Sequence, residues 1–100
     1  MTYLICYDIS DDALRTRLSK RLDKAGCVRL QKSVFMAPDF DVRRLTILRG
    51  GIMKLLPPTL SPDESVIVIP IEKNNLSDIV WQGDVQRITG ILRKDLLRFM

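Results

Sequence analysis

The hydrophobic pattern changes period once within the first 25 residues, and that change limits the folds open to the chain. Residues 2–9 are rich in β-branched and aromatic side chains and read as a buried strand. The run ends in Asp8-Ile9-Ser10-Asp11-Asp12, a stretch of turn and helix-capping residues. From there Leu14, Leu18, Leu22 and Ala25 recur at helical spacing, with Asp11 or Asp12 as the cap and Gly26 as the stop. A strand that passes into a helix through an acidic turn commits the chain to a fold with both kinds of layer. On the helix, Arg17, Lys20 and Lys24 share one flank while Arg15 and Arg21 border the apolar stripe, so the outward side is basic.

Residues 28–37 alternate Val28, Leu30, Lys32, Val34 and Met36 against Arg29, Gln31, Ser33 and Phe35, the two-residue period of a second strand, bent or broken at Lys32 and Ser33. After Pro38-Asp39, the residues Leu45, Leu48, Ile52, Met53, Leu55 and Leu56 suit a second helix closed by Pro57-Pro58. The Gly50-Gly51 pair inside it costs about 1 kcal/mol per glycine relative to alanine and predicts a kink or a close helix-to-sheet approach. Residues 64–72 form a near-continuous apolar strand, and Pro70 assigns it to a sheet edge or a strand end. A polar loop at 73–78 leads to a further short strand at 79–83, with Trp81 in packing or at an interface. In the tail, Val85, Ile88, Leu92, Leu96 and Phe99 fit a helix that Gly90 and Ile88-Thr89 weaken.

This order describes one α+β domain over residues 1–83, a ferredoxin-like two-layer sandwich with its helices on one face of a small sheet. The tail, 84–100, is assigned to an interface. Apolar residues on both faces of the first and third strands leave the other sheet face bare and predict a homodimer with twofold symmetry.

Composition narrows the chemistry. The apolar fraction of 46% is that of a globular chain. Histidine is absent, which excludes Ser-His-Asp and Cys-His triads, imidazole metal ligands and a histidine base. Cys6 and Cys27 form no CxxC pair and read as small buried hydrophobes in a reducing compartment. Sixteen Lys and Arg against twelve Asp and Glu give a net charge of +4 and point to polyanions as partners. The apolar run at 3–7 is cut by Asp8 and is too short for a signal peptide or a membrane span, so the expected place is the cytoplasm, without a membrane partner.

Tyr7-Asp8-Ile9-Ser10-Asp11-Asp12, followed by Leu14-Arg15-Thr16-Arg17 and then by Gln31-Lys32-Ser33-Val34-Phe35, resembles the signature of the second CRISPR-associated protein family. The likeness covers the first third of the chain, in order and at family spacing. The strand at 64–72 and Val80-Trp81-Gln82-Gly83 fall where that family has its last core strand and edge segment, whereas Gly50-Gly51 and the tail depart from it. The resemblance implies a ferredoxin-like homodimer whose first-strand aspartates, here Asp8, face each other across the dyad and share a divalent ion. It implies metal-dependent endonuclease activity on RNA or DNA, and a part in spacer acquisition as the central dimer that joins two integrase dimers. Tyr7, Asp8, Arg15, Arg17, Arg29 and Phe35 match positions that the family associates with its site.

General chemistry fits these roles. Mg²⁺ is often bound through only one or two carboxylates, and a site of oxygen ligands favours Mg²⁺ or Mn²⁺. Arg15, Arg17 and Arg29 can grip phosphates, with Lys20 and Lys24 beside them, and Tyr7 and Phe35 can support the site or stack on an exposed base. Plainer readings stand next to these. On its own pattern Asp8 reads first as a turn or capping residue, an order that the resemblance reverses. The basic flank also reads as a solvated helix face, and Tyr7 and Phe35 as core aromatics. The alternative function is a non-catalytic architectural or toxin-like RNA-binding protein.

Overall fold

A computed structural model describes residues 1–80 of the chain. The elements follow in the order β1 (Thr2–Asp8), α1 (Asp12–Lys24), β2 (Val28–Gln31), β3 (Val34–Ala37), α2 (Val42–Leu55) and β4 (Ser65–Ile71), with a short 3-10 helix over Lys73–Asp78. The strands lie side by side as β2-β3-β1-β4, and every neighbouring pair is antiparallel. Two helices on a four-stranded antiparallel sheet of this order make the expected ferredoxin-like α+β sandwich.

Local chemistry sets the element ends. Asp11 caps α1, its carboxylate accepting from the Leu14 amide at 3.1 Å, and Asp41 caps α2 by accepting from Arg44 at 2.8 Å. Gly26 ends α1 at φ +91°, a backbone conformation that side chains rarely adopt. There the Gly26 amide donates to the Asp23 carbonyl and the Cys27 amide to the Leu22 carbonyl, the paired bonds of a Schellman turn. The chain is thus reversed directly into β2.

Residues 28–37 form a hairpin rather than one strand. Val28 lies opposite Met36 and Arg29 opposite Phe35, an irregularity follows, and the chain turns at Lys32 and Ser33. Val28, Leu30, Val34 and Met36 occupy one face in both arms, so the alternation runs through the turn and hides it. The polar segment 73–78 is the 3-10 helix and buries Leu76. Pro70 does lie on an edge strand, since β4 pairs with β1 alone among the described strands. Of the strand expected at 79–83, Ile79 caps the 3-10 helix and Val80 is exposed; Trp81, the rest of that strand and the tail at 84–100 lie outside the described residues.

The core sits between sheet and helices. Ile5, Tyr7 and Ile9 meet Leu14, Leu18 and Leu22 of α1, Phe35 of β3 and Leu48 and Ile52 of α2. The opposite face is not uniformly bare. Leu30 and Met36 are buried there with Leu4, Val34 and Ile79 packed around them, while Ile67 and Ile69 of β4 remain 50% and 41% exposed. Among the described residues no helix is long and apolar enough to cross a membrane.

The glycine pair lies within a continuous α2, and the close approach it permits is to a helix, not to the sheet. A Cβ at Gly51 would meet Arg21 of α1 at 3.3 Å, whereas one at Gly50 would meet nothing within 4 Å. Gly50→Ala is therefore expected to stabilise the fold by about 0.5–1 kcal/mol through backbone entropy alone, read as a higher denaturation midpoint with an unchanged m-value. A lower midpoint would contradict the open surroundings of Gly50.

Candidate functional site

Asp8 is the last residue of β1, opposite Ser65 of β4, and its side chain is exposed. Strand alternation puts it on the helix-free face with Leu4 and Cys6. It caps nothing, because Asp11 does that work. No hydrogen bond or ion pair ties the Asp8 carboxylate to another described residue. Among the described residues no three His, Cys, Asp or Glu side chains gather closely enough to hold a metal.

The turn after Asp8 is fixed from two sides. Arg15 donates through Nη1 to the Ile9 carbonyl at 3.1 Å and through Nη2 to the Asp12 carboxylate. From the other side Glu64, just ahead of β4, accepts from the Ser10 amide at 3.0 Å and from the Ser61 amide at 3.3 Å. These backbone donors hold the Glu64 carboxyl below its ordinary pKa. Glu64 was not among the residues singled out by sequence. The signal for it was the Ser61-Pro62-Asp63-Glu64 spacing, which has the form of a capping box and here closes a turn, with the Glu64 amide donating to the Ser61 carbonyl at 2.9 Å.

Beside this turn, Arg15, Thr16, Ser19 and Lys20 of α1 face Arg29 and Lys32 of the hairpin across an open cleft of about 290 Å³. Its lining holds four cations, two hydroxyls and no carboxylate. Arg29 reaches over from β2, donating to Ser19 Oγ at 2.7 Å with its guanidinium 5.1 Å from the centre of the Phe35 ring. The structure thus brings Arg15, Lys20 and Arg29 together and adds Lys32 from the turn expected at that position. Arg17 and Lys24 lie on the flank towards α2, with the Arg17 Nε donating to the Ala13 carbonyl at 3.4 Å.

Tyr7 and Phe35 are 5% and 0% exposed, stacked on each other with ring centres 6.2 Å apart. At that burial neither offers a face to a base, and Phe35 instead props Arg29 from beneath. Cys27 is buried, and the loss of solvation pushes its thiol up to about 11, against the opposing pull of Arg44. It is a neutral core group at ordinary pH.

The profile of the family described as CRISPR associated protein Cas2 matches residues 1–79. Over 35 residues the chain is 54% identical to the CRISPR-associated endoribonuclease Cas2 1 of Archaeoglobus fulgidus, a stretch that covers 35% of this chain and 37% of that relative. The chain therefore aligns with little more than a third of the relative's length.

The Glu64 bridge generates a pH dependence. Its folded pKa lies below the ordinary 4.5, so its contribution is fully present above that value and is lost as the pH falls through the folded pKa. Glu64→Gln is expected to flatten the acid limb of a melting-temperature profile while leaving its neutral region less affected. An acid limb as steep as that of the wild type would contradict the bridge.

Proposed function

The chain belongs to the CRISPR-associated protein Cas2 family, and on that premise we propose that it works in spacer acquisition as a homodimer that holds nucleic acid by its phosphates. We further propose that it cleaves phosphodiester bonds with a divalent ion held between the two Asp8 side chains. The observation that carries this reading is the state of Asp8: exposed, without a hydrogen bond to a described residue, and one residue from the Ile9 carbonyl that anchors Arg15.

The second copy meets the first on the helix-free sheet face, where Ile67 and Ile69 offer apolar surface at β4. Asp8 lies at the rim of that face, so a twofold axis beside β4 brings two carboxylates together. Two carboxylates and bound water suit Mg²⁺, with Mn²⁺ as a substitute. When bound, the ion supplies an activated water and neutralises charge on the scissile phosphate. Arg15 and Arg29, with Lys20 and Lys32, hold the phosphates on either side of the scissile bond. Arg17 and Lys24 extend the basic surface, while Tyr7 and Phe35 keep the end of β1 and Arg29 in place. The name of the Archaeoglobus relative supports RNA as a substrate; DNA held for an integrase dimer, in the cytoplasm, is the reading carried by the sequence resemblance alone. One observation favours a second reading, architecture without catalysis: among the described residues no three carboxylate or thiol side chains gather into a metal-holding cluster.

Asp8→Asn separates the two readings, since it keeps the side chain's size and removes the charge that holds the ion. The variant is expected to remain folded, to run in light scattering at twice 11.5 kDa, and to bind nucleic acid as the wild type does. Cleavage in Mg²⁺ should fall by at least about a hundredfold. Equal cleavage by both proteins would contradict the assignment of Asp8, and a wild type that binds without cutting would leave the architectural reading in place.

A further inference from the structure

Helix α1 carries cations on two flanks, and the cleft towards the hairpin uses only one of them. The other flank faces α2 across an open groove of about 500 Å³, lined by Arg17, Lys20, Arg21 and Lys24 with Asp23 and Leu55. Each of the four cations has two others three or four residues away along the helix, so they are neighbours and repel one another. The Asp23 carboxylate lies among them, but the side chains of Lys20, Arg21 and Lys24 form no hydrogen bond or ion pair with a described residue. The groove is a concentration of unpaired positive charge, which a chain of phosphates would neutralise.

The glycine pair supplies the second observation. The stem of Arg21 passes over α2 at Gly51, where a Cβ would lie 3.3 Å from Arg21 Cδ and 3.4 Å from Nη1. A side chain at position 51 would press on this cation, and the buried glycine leaves it room along the floor of the groove. Gly50, one residue away, has no such neighbour. Lys20 lines the groove and also the cleft on the far flank, so the cations form one continuous track over α1.

We propose that the groove between α1 and α2 is a second phosphate-binding surface, so that bound nucleic acid is gripped on both flanks of α1 rather than in the Arg15–Arg29 cleft alone. The inference rests on the nucleic-acid reading given above and deepens it, placing Arg17 and Lys24 with Arg21 in a defined groove that shares Lys20 with the cleft. Continuity through Lys20 favours one polyanion crossing the helix over two separate ligands.

The test compares two double variants of the full chain that remove equal charge. Arg21→Gln with Lys24→Gln empties the groove, and Arg43→Gln with Arg49→Gln takes two exposed cations from α2 that line neither the groove nor the cleft. Affinity is measured against salt, with labelled duplex DNA and with single-stranded RNA, on whichever the wild type binds. The groove variant is expected to bind about tenfold or more weakly, and its log–log salt slope should be shallower by about 1.4 for a single strand or about 1.8 for a duplex, as for two lost phosphate contacts. The control pair should change affinity by less than about threefold. Groove and control variants that weaken alike, or a groove variant that binds as the wild type does, would overturn the second surface while leaving the nucleic-acid reading intact. A wild type that binds neither probe would instead overturn the nucleic-acid reading, and this inference with it.

Discussion

The double pairing of β1 is the constraint on which the rest of the structure depends. It is hydrogen-bonded to β3 along one edge and to β4 along the other, so its register determines what reaches each face. Ile5 and Tyr7 enter the helix-side core, Leu4 and Cys6 lie on the opposite face, and Asp8 emerges at the end of the strand. A shift of one residue would send Ile5 to the open face and turn Asp8 towards Leu14 and Leu18, burying an unpaired charge. Fully burying a side chain such as Ile5, Leu18 or Phe35 contributes about 1.5–3 kcal/mol, so the correct register is held by several such terms at once. The position of the carboxylate is thereby a consequence of the core.

The same core also arranges the cations. Leu14, Leu18 and Leu22 fix the rotation of α1, and that rotation decides which basic residues look towards the hairpin and which towards α2. Arg29 is held from beneath by the Phe35 ring and from the side by Ser19, and Arg15 by the Ile9 carbonyl and the Asp12 carboxylate, so two guanidinium groups of the cleft are held in place. Without histidine, carboxylate, guanidinium and ammonium groups are the polar chemistry concentrated at this end of the sheet. Such groups suit the holding of phosphates and of a hard divalent cation.

Much of this was legible in the amino-acid order, and the exceptions have physical reasons. The strand-to-helix passage from β1 to α1, the Gly26 stop and the edge position of Pro70 each rest on local backbone chemistry, which short-range pattern reports well. The break at Lys32 and Ser33 was legible, but because the alternation runs on through the turn, pattern alone did not show two paired arms or that Lys32 would join a cleft. Gly51 announced a close approach, but pattern alone does not say whether the neighbour is a sheet or a helix. The spacing of Ser61 and Glu64 marked a local turn, but the bond between Glu64 and Ser10 spans 54 positions, a distance over which periodicity carries no information. Asp8 itself was visible as an acid at a strand end, and Asp11 was already one of two candidate caps; the structure decides for Asp11 over Asp12, and with that the plain capping role for Asp8 falls away.

A pairing of two Asp8 carboxylates around one ion fixes a stoichiometry that no single-chain site shares. The direct measurement is a titration of the purified protein with Mn²⁺, counting bound ions by the loss of the free-ion electron paramagnetic resonance signal, with the particle mass followed in the same samples. One ion for every two chains, in a particle of twice 11.5 kDa, is the result expected of the shared site. One ion per chain on a monomer, or no bound ion at concentrations where nucleic acid is cleaved, would contradict it.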